Sequence, residues 1–255
     1  MRETDVLFTG TNMCMDNLSK MIRELPPVWN SLATEWIECV LANRKLTFEA
    51  ALDEVLKNRN MTLDDAGFAA AATHIGELVT SFIRCYTREE IMRYLMNSDI
   101  DVTIHGMNWD VVYEEEGRPV NVHIKKEIGY LETPGLYKRS KILLNVMPWF
   151  KDGYHDRVAT GLMSGTAVFT TGSKYLHEIY ESENDDTREI WFYDEDHPER
   201  IPEQLNEMLR HPEKLQRSAV LGREKTEQTV TWKRSAEEII RIVDEINGKY
   251  STDQY

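Results

Sequence analysis

Residues Lys141–Glu178 read KILLNVMPWFKDGYHDRVATGLMSGTAVFTTGSKYLHE, and this stretch decides the fold. Lys141–Val146 and Thr166–Thr170 are short apolar runs, the pattern of strands covered on both faces. Between them Asp156–Ser164 reads as a short helix that ends at Gly165, a left-handed C-cap. Polar residues gather after each strand: Asp152, Gly153, His155, Asp156 and Arg157 after the first, Thr171, Gly172, Ser173 and Lys174 after the second. Open parallel α/β sheets bind ligands outside those strand ends. Two neighbouring helix N-termini there would offer free N–H groups to an anion, which suits a phosphorylated ligand held between the loops after Val146 and after Thr170.

The whole chain fits this reading. Its 255 residues are enough to bury a sizeable core, and 41% hydrophobic residues is ordinary for a soluble globular protein. A net charge of −14 argues against nucleic acid as a partner and against anionic membrane surfaces. The acid is concentrated in Glu114–Gly117, Glu181–Asp186 and Asp194–Glu199, each expected to be a solvated loop. No apolar run is expected to span a bilayer, and the N-terminus enters a strand rather than a secretion signal. Cys14, Cys39 and Cys85 form no CxxC, so a reduced, cytoplasmic compartment is expected.

Three regions follow along the chain. Asp5–Thr11 reads as a strand with a Gly–Thr turn. From Asp16 to about Asn97 the pattern is helical: Ile22, Leu25, Trp29, Leu32 and Trp36 recur at three- and four-residue steps. Thr47 reads as a helix start, Pro26–Pro27 and Asn58–Asp64 as breaks, Ala66–Arg84 as a central helix. A second helix is expected over Thr87–Met96, with Thr87 and Glu90 as a capping box. The third region supplies strands at Ile100–Gly106, Val122–Leu131 (with its loop) and Glu189–Asp194. A helical turn falls at Glu132–Arg139, and helices at Ile201–Arg210, Pro212–Glu227 and Lys233–Asn247. Alternating strands and helices predict an α/β fold, a Rossmann-like parallel sheet with right-handed crossovers. Residues 16–97 then form a long helical connection between its first and second strands.

The chain resembles the C-terminal halves of nucleotide-sugar glycosyltransferases with two Rossmann-like domains, the GT-B architecture. The branch is that of the spore maturation protein CgeB and its "glycosyl transferases group 1" relatives. The resemblance rests on SKILLNV (Ser140–Val146), the D-G-x-H-x-R run (Asp152, Gly153, His155, Arg157), GLMSGTAVFTT (Gly161–Thr171) and WKRSAEEIIRI (Trp232–Ile242). LFTGT (Leu7–Thr11), YTREEIMRYL (Tyr86–Leu95) and VTIHGMNW (Val102–Trp109) add to it. It implies one nucleotide-sugar-binding domain over residues 1–255, with the helical segment 16–97 inserted within it. It implies a nucleoside diphosphate sugar as donor, an unknown acceptor, no metal, and an acceptor domain that would precede Asp5 or be supplied by a partner chain.

The resemblance also implies roles. The family pairs two acids seven residues apart, the first for sugar hydroxyls and the second for the ribose. These fall at Asp152, followed by Gly153, and at Thr160, where a hydroxyl replaces the acid and accepts less. Asp152 in K-D-G is equally a turn residue. Arg157, in the first turn of a helix, suits a bound diphosphate or an ion pair with Asp152 or Asp156. His155 is a phosphate donor, a general acid for the leaving group, or a satisfied loop histidine. Thr171–Gly172–Ser173 matches the loop whose N–H groups face the donor, with Lys174 beginning the helix and Glu178 one turn in. Ser173 is also an N-cap. Gly10 and Thr11 approach the phosphates. Tyr130 holds the nucleobase, or is a core or lid aromatic; Lys125 and Lys126 face diphosphate or solvent. With Asp152 and His155 as catalytic candidates, the chain is read as the donor half of a glycosyltransferase. A non-catalytic module that binds another protein through its helical region is the alternative.

Overall fold

The computed structural model describes residues 2–252, with side chains described over 2–247. A central six-stranded sheet has the order β3-β2-β1-β4-β5-β6, and every described pairing is parallel. The strands are β1 Thr4–Thr9, β2 Val102–His105, β3 Val122–Lys125, β4 Ser140–Asn145, β5 Ala167–Thr171 and β6 Trp191–Tyr193. The chain order reverses between β1 and β4, where Leu7 lies opposite Leu143, so the topological switch point of the sheet falls there.

Alternation along the strands builds two cores. Val6 and Phe8 of β1, with Ile142 and Leu144 of β4, face one side. There they meet Ile91, Met92 and Leu95 of α5 (Glu77–Met96) and Leu205 of α10 (Ile201–Arg210). Leu7, Leu143 and Val168 face the other side, against α7 (Thr133–Lys138) and Val158 and Leu162 of α8 (Asp156–Met163). These strands are buried on both faces, which is why they read as continuous apolar runs. Gly165 (φ 74°) ends α8, its N–H donating to the Leu162 carbonyl at 2.8 Å, the left-handed cap expected from the sequence.

Between β1 and β2 lie α1 (Met15–Arg23), α2 (Pro27–Ala42), α3 (Phe48–Asn58), α4 (Asp65–Ala71) and α5. They enclose a third core around Trp36, Leu52, Val55 and Ile75. Thr47 caps α3 by accepting from the Ala50 amide at 3.1 Å, as expected. The separate helices expected at Ala66–Arg84 and Thr87–Met96 are corrected: α4 joins α5 through one π turn, Ala72–Gly76, and α5 runs unbroken to Met96. Thr87 is buried in mid-helix and caps nothing. Packing on both sides holds the backbone helical where the local pattern suggested a restart.

The joined run Asp65–Met96 is long and apolar enough, by length and composition, to cross a membrane, which the sequence reading did not foresee. Its C-terminal half packs on the sheet, and it carries Arg84, Arg88 and Arg93. The remaining helices are α6 (Asp110–Glu115), α9 (Lys174–Ile179), α11 (Pro212–Thr229) and α12 (Trp232–Thr252).

Candidate functional site

The crevice at the switch point has a volume of 260 Å³ and opens at the C-terminal ends of β1, β2 and β3 and the start of α8. Six of the residues singled out from the sequence line it: Gly10, Thr11, Tyr130, His155, Arg157 and Thr160. Glu127, Ile128 and Thr133 complete one end. Tyr130 is 67% exposed, so it is a rim aromatic and not a core one.

Backbone packing between the β1 and β2 loops shapes the floor. The Gly10 amide donates to the His105 carbonyl at 2.9 Å, and Trp109 Nε1 donates to the Gly10 carbonyl at 2.7 Å. A Cβ on Gly106 would sit 2.0 Å from the Gly10 carbonyl oxygen, so only glycine lets these loops meet.

Arg157 reaches across the switch point. Its Nε donates to Thr9 Oγ1 at 3.1 Å and its Nη1 to Asn145 Oδ1 at 2.8 Å. Thr9 Oγ1 also meets the Tyr137 hydroxyl at 3.1 Å. The ion pair with Asp152 or Asp156 allowed by the sequence does not form. Burial lowers the Arg157 pKa.

On the opposite face of the sheet, Arg88 donates from Nη1 to the Thr11 carbonyl at 3.0 Å and lies over the Phe8 ring. It is only 7% exposed. Burial, then the positive charge of Arg157 and Arg84, pull its pKa down to about 9. One turn earlier on α5, Arg84 finds only weak partners, Met13 Sδ at 2.9 Å and Ser81 Oγ at 3.5 Å. The Nε groups of both Arg84 and Arg88 are buried without an acceptor. Both guanidinium groups lie against Trp149, 5.5 and 5.8 Å from its ring centre. Among the described residues no carboxylate pairs with Arg84, Arg88 or Arg157. Arg157 lines the crevice, and Arg88 and Arg84 stand beside it against Trp149, so three buried or half-buried cations cluster there in a chain of net charge −14. Such a cluster is costly unless an anion completes it.

His155 stands among these guanidinium groups. Its Nδ1 accepts from the Arg157 amide at 3.1 Å, capping α8, and lies 2.5 Å from Asp156 Oδ1. Burial first, then Arg157, with Arg88 and Arg84 adding and Asp156 opposing, lowers its pKa to about 4. The ring is therefore neutral near pH 7, with one N–H to donate and no spare proton to lose.

The loop after β5 does not join this crevice. The Lys174 and Tyr175 amides donate to the Lys151 and Asp152 carbonyls at 2.9 and 3.3 Å. The Leu176 amide donates to Ser173 Oγ at 3.2 Å. The N-terminus of α9 is thus consumed internally, and in α8 the Arg157 and Val158 amides are taken by His155, so the expected pair of free helix N-termini is not present. The crevice is lined by the loops after β1 and β2 and by the start of α8, and Thr171 and the residues after it do not line it. Gly172, Ser173 and Lys174 line a separate cavity of 550 Å³ with Lys151 and Glu195. Thr171 is buried with its hydroxyl unpartnered. Asp152 and Gly153 occupy a bend outside the crevice lining, and Asp152 is exposed, consistent with its turn reading. Glu178 is exposed on α9, and Lys125 and Lys126 do not line the crevice. Lys126 offers its carbonyl to His105 Nδ1 at 2.9 Å.

The residues missed from sequence are Thr9, Tyr137, Asn145, Trp149 and above all Arg84 and Arg88. The available signal was a pair of arginines four apart in a helix whose neighbours Ile83, Ile91 and Met92 are core residues.

The profile of a glycosyl transferase-like family matches residues 87–241, more than half the chain. The chain belongs to this glycosyl transferase-like family. No curated protein sequence matches it. Its fold is similar to that of sucrose-phosphate synthase from Thermosynechococcus elongatus, with a TM-score of 0.52 at 11% identity, over 63% of this chain and 42% of that one. The chain thus spans less than half the length of that synthase. Weaker likenesses are to Anabaena HepE solved with UDP and glucose, and to the C-terminal domain of a group 1 glycosyl transferase, LpcC, from Francisella tularensis. HepE has a TM-score of 0.48 at 10% identity, over 65% of this chain and 44% of that one. LpcC has a TM-score of 0.46 at 14% identity, over 57% and 80%. The sheet thus shares its fold with part of that synthase, and membership of the glycosyl transferase-like family agrees with the glycosyltransferase resemblance read from the sequence.

Proposed function

We propose that this chain is the donor-binding part of a nucleotide-sugar-dependent glycosyltransferase. The observation that carries the proposal is the unpaired Arg157 spanning the switch point, with Arg88 behind the Gly10–Thr11 loop on the other face. A diphosphate between them would receive charge-assisted hydrogen bonds from both sides. The base would lie toward Glu127, Ile128 and Tyr130, and the ribose near Thr160. As the sugar leaves, negative charge grows on the diphosphate, and the fixed guanidinium groups stabilise it without rearranging. Neutral His155 would donate a hydrogen bond to a phosphoryl oxygen; its low pKa argues against general-acid transfer from this ring at neutral pH. The acceptor would come from another domain or partner chain, which supplies the proximity that transfer requires. On this reading the cations replace a metal ion, and a chelator should leave donor binding unchanged.

One observation favours a different reading, a glycosyltransferase-like module whose role is to bind another protein. α12 lies exposed throughout residues 232–247 and presents Trp232, Ile239, Ile242 and Ile246 to solvent. Thermal-shift and calorimetric titration with uridine, guanosine, adenosine, cytidine and thymidine diphosphates separates the two. Donor binding predicts a saturable rise in melting temperature with at least one of them. No response at millimolar concentration, in folded protein, refutes it and leaves the binding-module reading.

A further inference from the structure

The donor reading, on which this inference builds, leaves one cation over. A nucleotide-sugar diphosphate carries one negative charge on each phosphoryl group. Arg157 and Arg88, on the two faces of the switch point, match those two charges. Arg84 remains, with a buried Nε that has no acceptor and a thioether sulfur as its closest partner.

Its place on the helix says where the extra charge would be needed. Asn121 Nδ2 donates to the Leu95 and Ile100 carbonyls, which puts Leu95 at the bottom of the sheet, beside the start of β2. Arg88 is level with Thr11, at the top. α5 therefore climbs past the strand ends toward its own N-terminus, and Arg84 stands one turn, about 6 Å, farther out than Arg88. The Trp149 ring joins the two arginines and also meets His155 edge-on, 6.3 Å between ring centres. Arg84 thus stands beyond Arg88 beside Trp149, whose ring also meets His155 at the crevice wall. A half-buried guanidinium with no acidic partner is destabilising by itself and becomes favourable once an oxyanion supplies the missing acceptors.

We propose that Arg84 is a specificity-determining residue that receives a third negative charge, a carboxylate or phosphate carried by the transferred sugar or by the acceptor. The reaction would then join an acidic saccharide: either a uronate enters from the donor, or a phosphorylated sugar waits as acceptor. The chemistry at Arg84 is the same in both cases.

The test uses the full chain and two arms, read by calorimetry. The donor arm compares UDP-glucose with UDP-glucuronate, and GDP-mannose with GDP-mannuronate. The acceptor arm titrates glucose and glucose 6-phosphate in the presence of the best-binding nucleoside diphosphate. In one arm the acidic ligand should bind at least about tenfold tighter than its neutral counterpart, and Arg84→Gln should abolish that preference. Arg84→Lys should restore part of it. Nucleoside diphosphate affinity should change far less in Arg84→Gln than in Arg88→Gln. The melting temperature of unliganded Arg84→Gln verifies folding, and removal of an unpaired charge should not lower it. Equal binding of acidic and neutral ligands in both arms overturns the inference, as does a preference that survives Arg84→Gln. If no nucleoside diphosphate binds at all, the donor reading falls by itself. Arg84-dependent binding of glucose 6-phosphate alone would then still support the Arg84 assignment, and its absence would remove that as well.

Discussion

Arg157 and His155 stand together at the start of α8, on the wall of the crevice. Arg157 stood out in the sequence as a cation in the first turn of a helix, and the crevice does contain it. Its partners, Thr9 and Asn145, lie 148 and 12 residues away and had no local signal. Arg157→Ala should weaken nucleoside diphosphate binding by about 1.5–3 kcal/mol. Unliganded stability should fall by no more than about 1 kcal/mol, because lost bonds to Thr9 and Asn145 are offset by relief of repulsion among the arginines. A purely structural arginine gives the reverse: stability falls by about 2–3 kcal/mol and affinity holds. Denaturant unfolding and calorimetry on one variant tell them apart. His155 yields a pH prediction. Its folded pKa, about 4, is below the ordinary histidine value, so the unfolded chain binds the extra proton first as pH falls. Stability from this residue is full above about pH 6.5 and is lost as pH drops toward about 4. His155→Gln should flatten the stability–pH curve across that window. A bound diphosphate adds negative charge beside the ring and raises its pKa, so binding at pH 5 should take up protons. Titration in buffers of different ionisation enthalpy measures this directly.

At the scale of elements, what was legible followed periodicity and punctuation. β1, β4 and β5 announced themselves as apolar runs, α8 by its Gly165 stop and α3 by its Thr47 cap, because each signal is local. Two features were hidden because they depend on partners distant in sequence. One is the continuity of α5 through residues 85–87, set by packing on the sheet and on α1 and α2. The other is the closure of the α9 N-terminus by the Lys151 and Asp152 carbonyls, which a capping serine at 173 could not reveal. The crevice itself depends on the contact of the β1 and β2 loops at Gly106. Gly106→Ala should therefore destabilise the fold by about 3 kcal/mol or more and abolish nucleotide binding, since its Cβ meets backbone and not a movable side chain. Gly135→Ala in α7 meets nothing within 4 Å and should be neutral or stabilising by up to about 1 kcal/mol. Melting curves of the two variants, side by side, check the packing argument. A tolerated Gly106→Ala would contradict it.

The sheet fixes the switch point, and the helical segment between β1 and β2 sets Arg84 and Arg88 against Trp149 beside it. The negative net charge suggested only what the chain would avoid. The local positive cluster is invisible to composition, because Arg84 and Arg88 come from a segment that precedes β2 while Arg157 follows β4. α12 contributes little to either part, since residues 232–247 are all exposed. Removing residues 232–255 should leave the melting temperature within about 4 °C, the shift that about 1 kcal/mol produces in a domain of this size. A larger drop would show that α12 supports the core. The most direct test of the central claim is a crystal structure of the chain with the nucleoside diphosphate that raises its melting temperature most. The account predicts the diphosphate at the switch point, with phosphoryl oxygens within hydrogen-bonding distance of the Arg157 and Arg88 guanidinium groups and the base beside Tyr130. A diphosphate held instead by the Gly172–Lys174 loop, or away from both arginines, would contradict it.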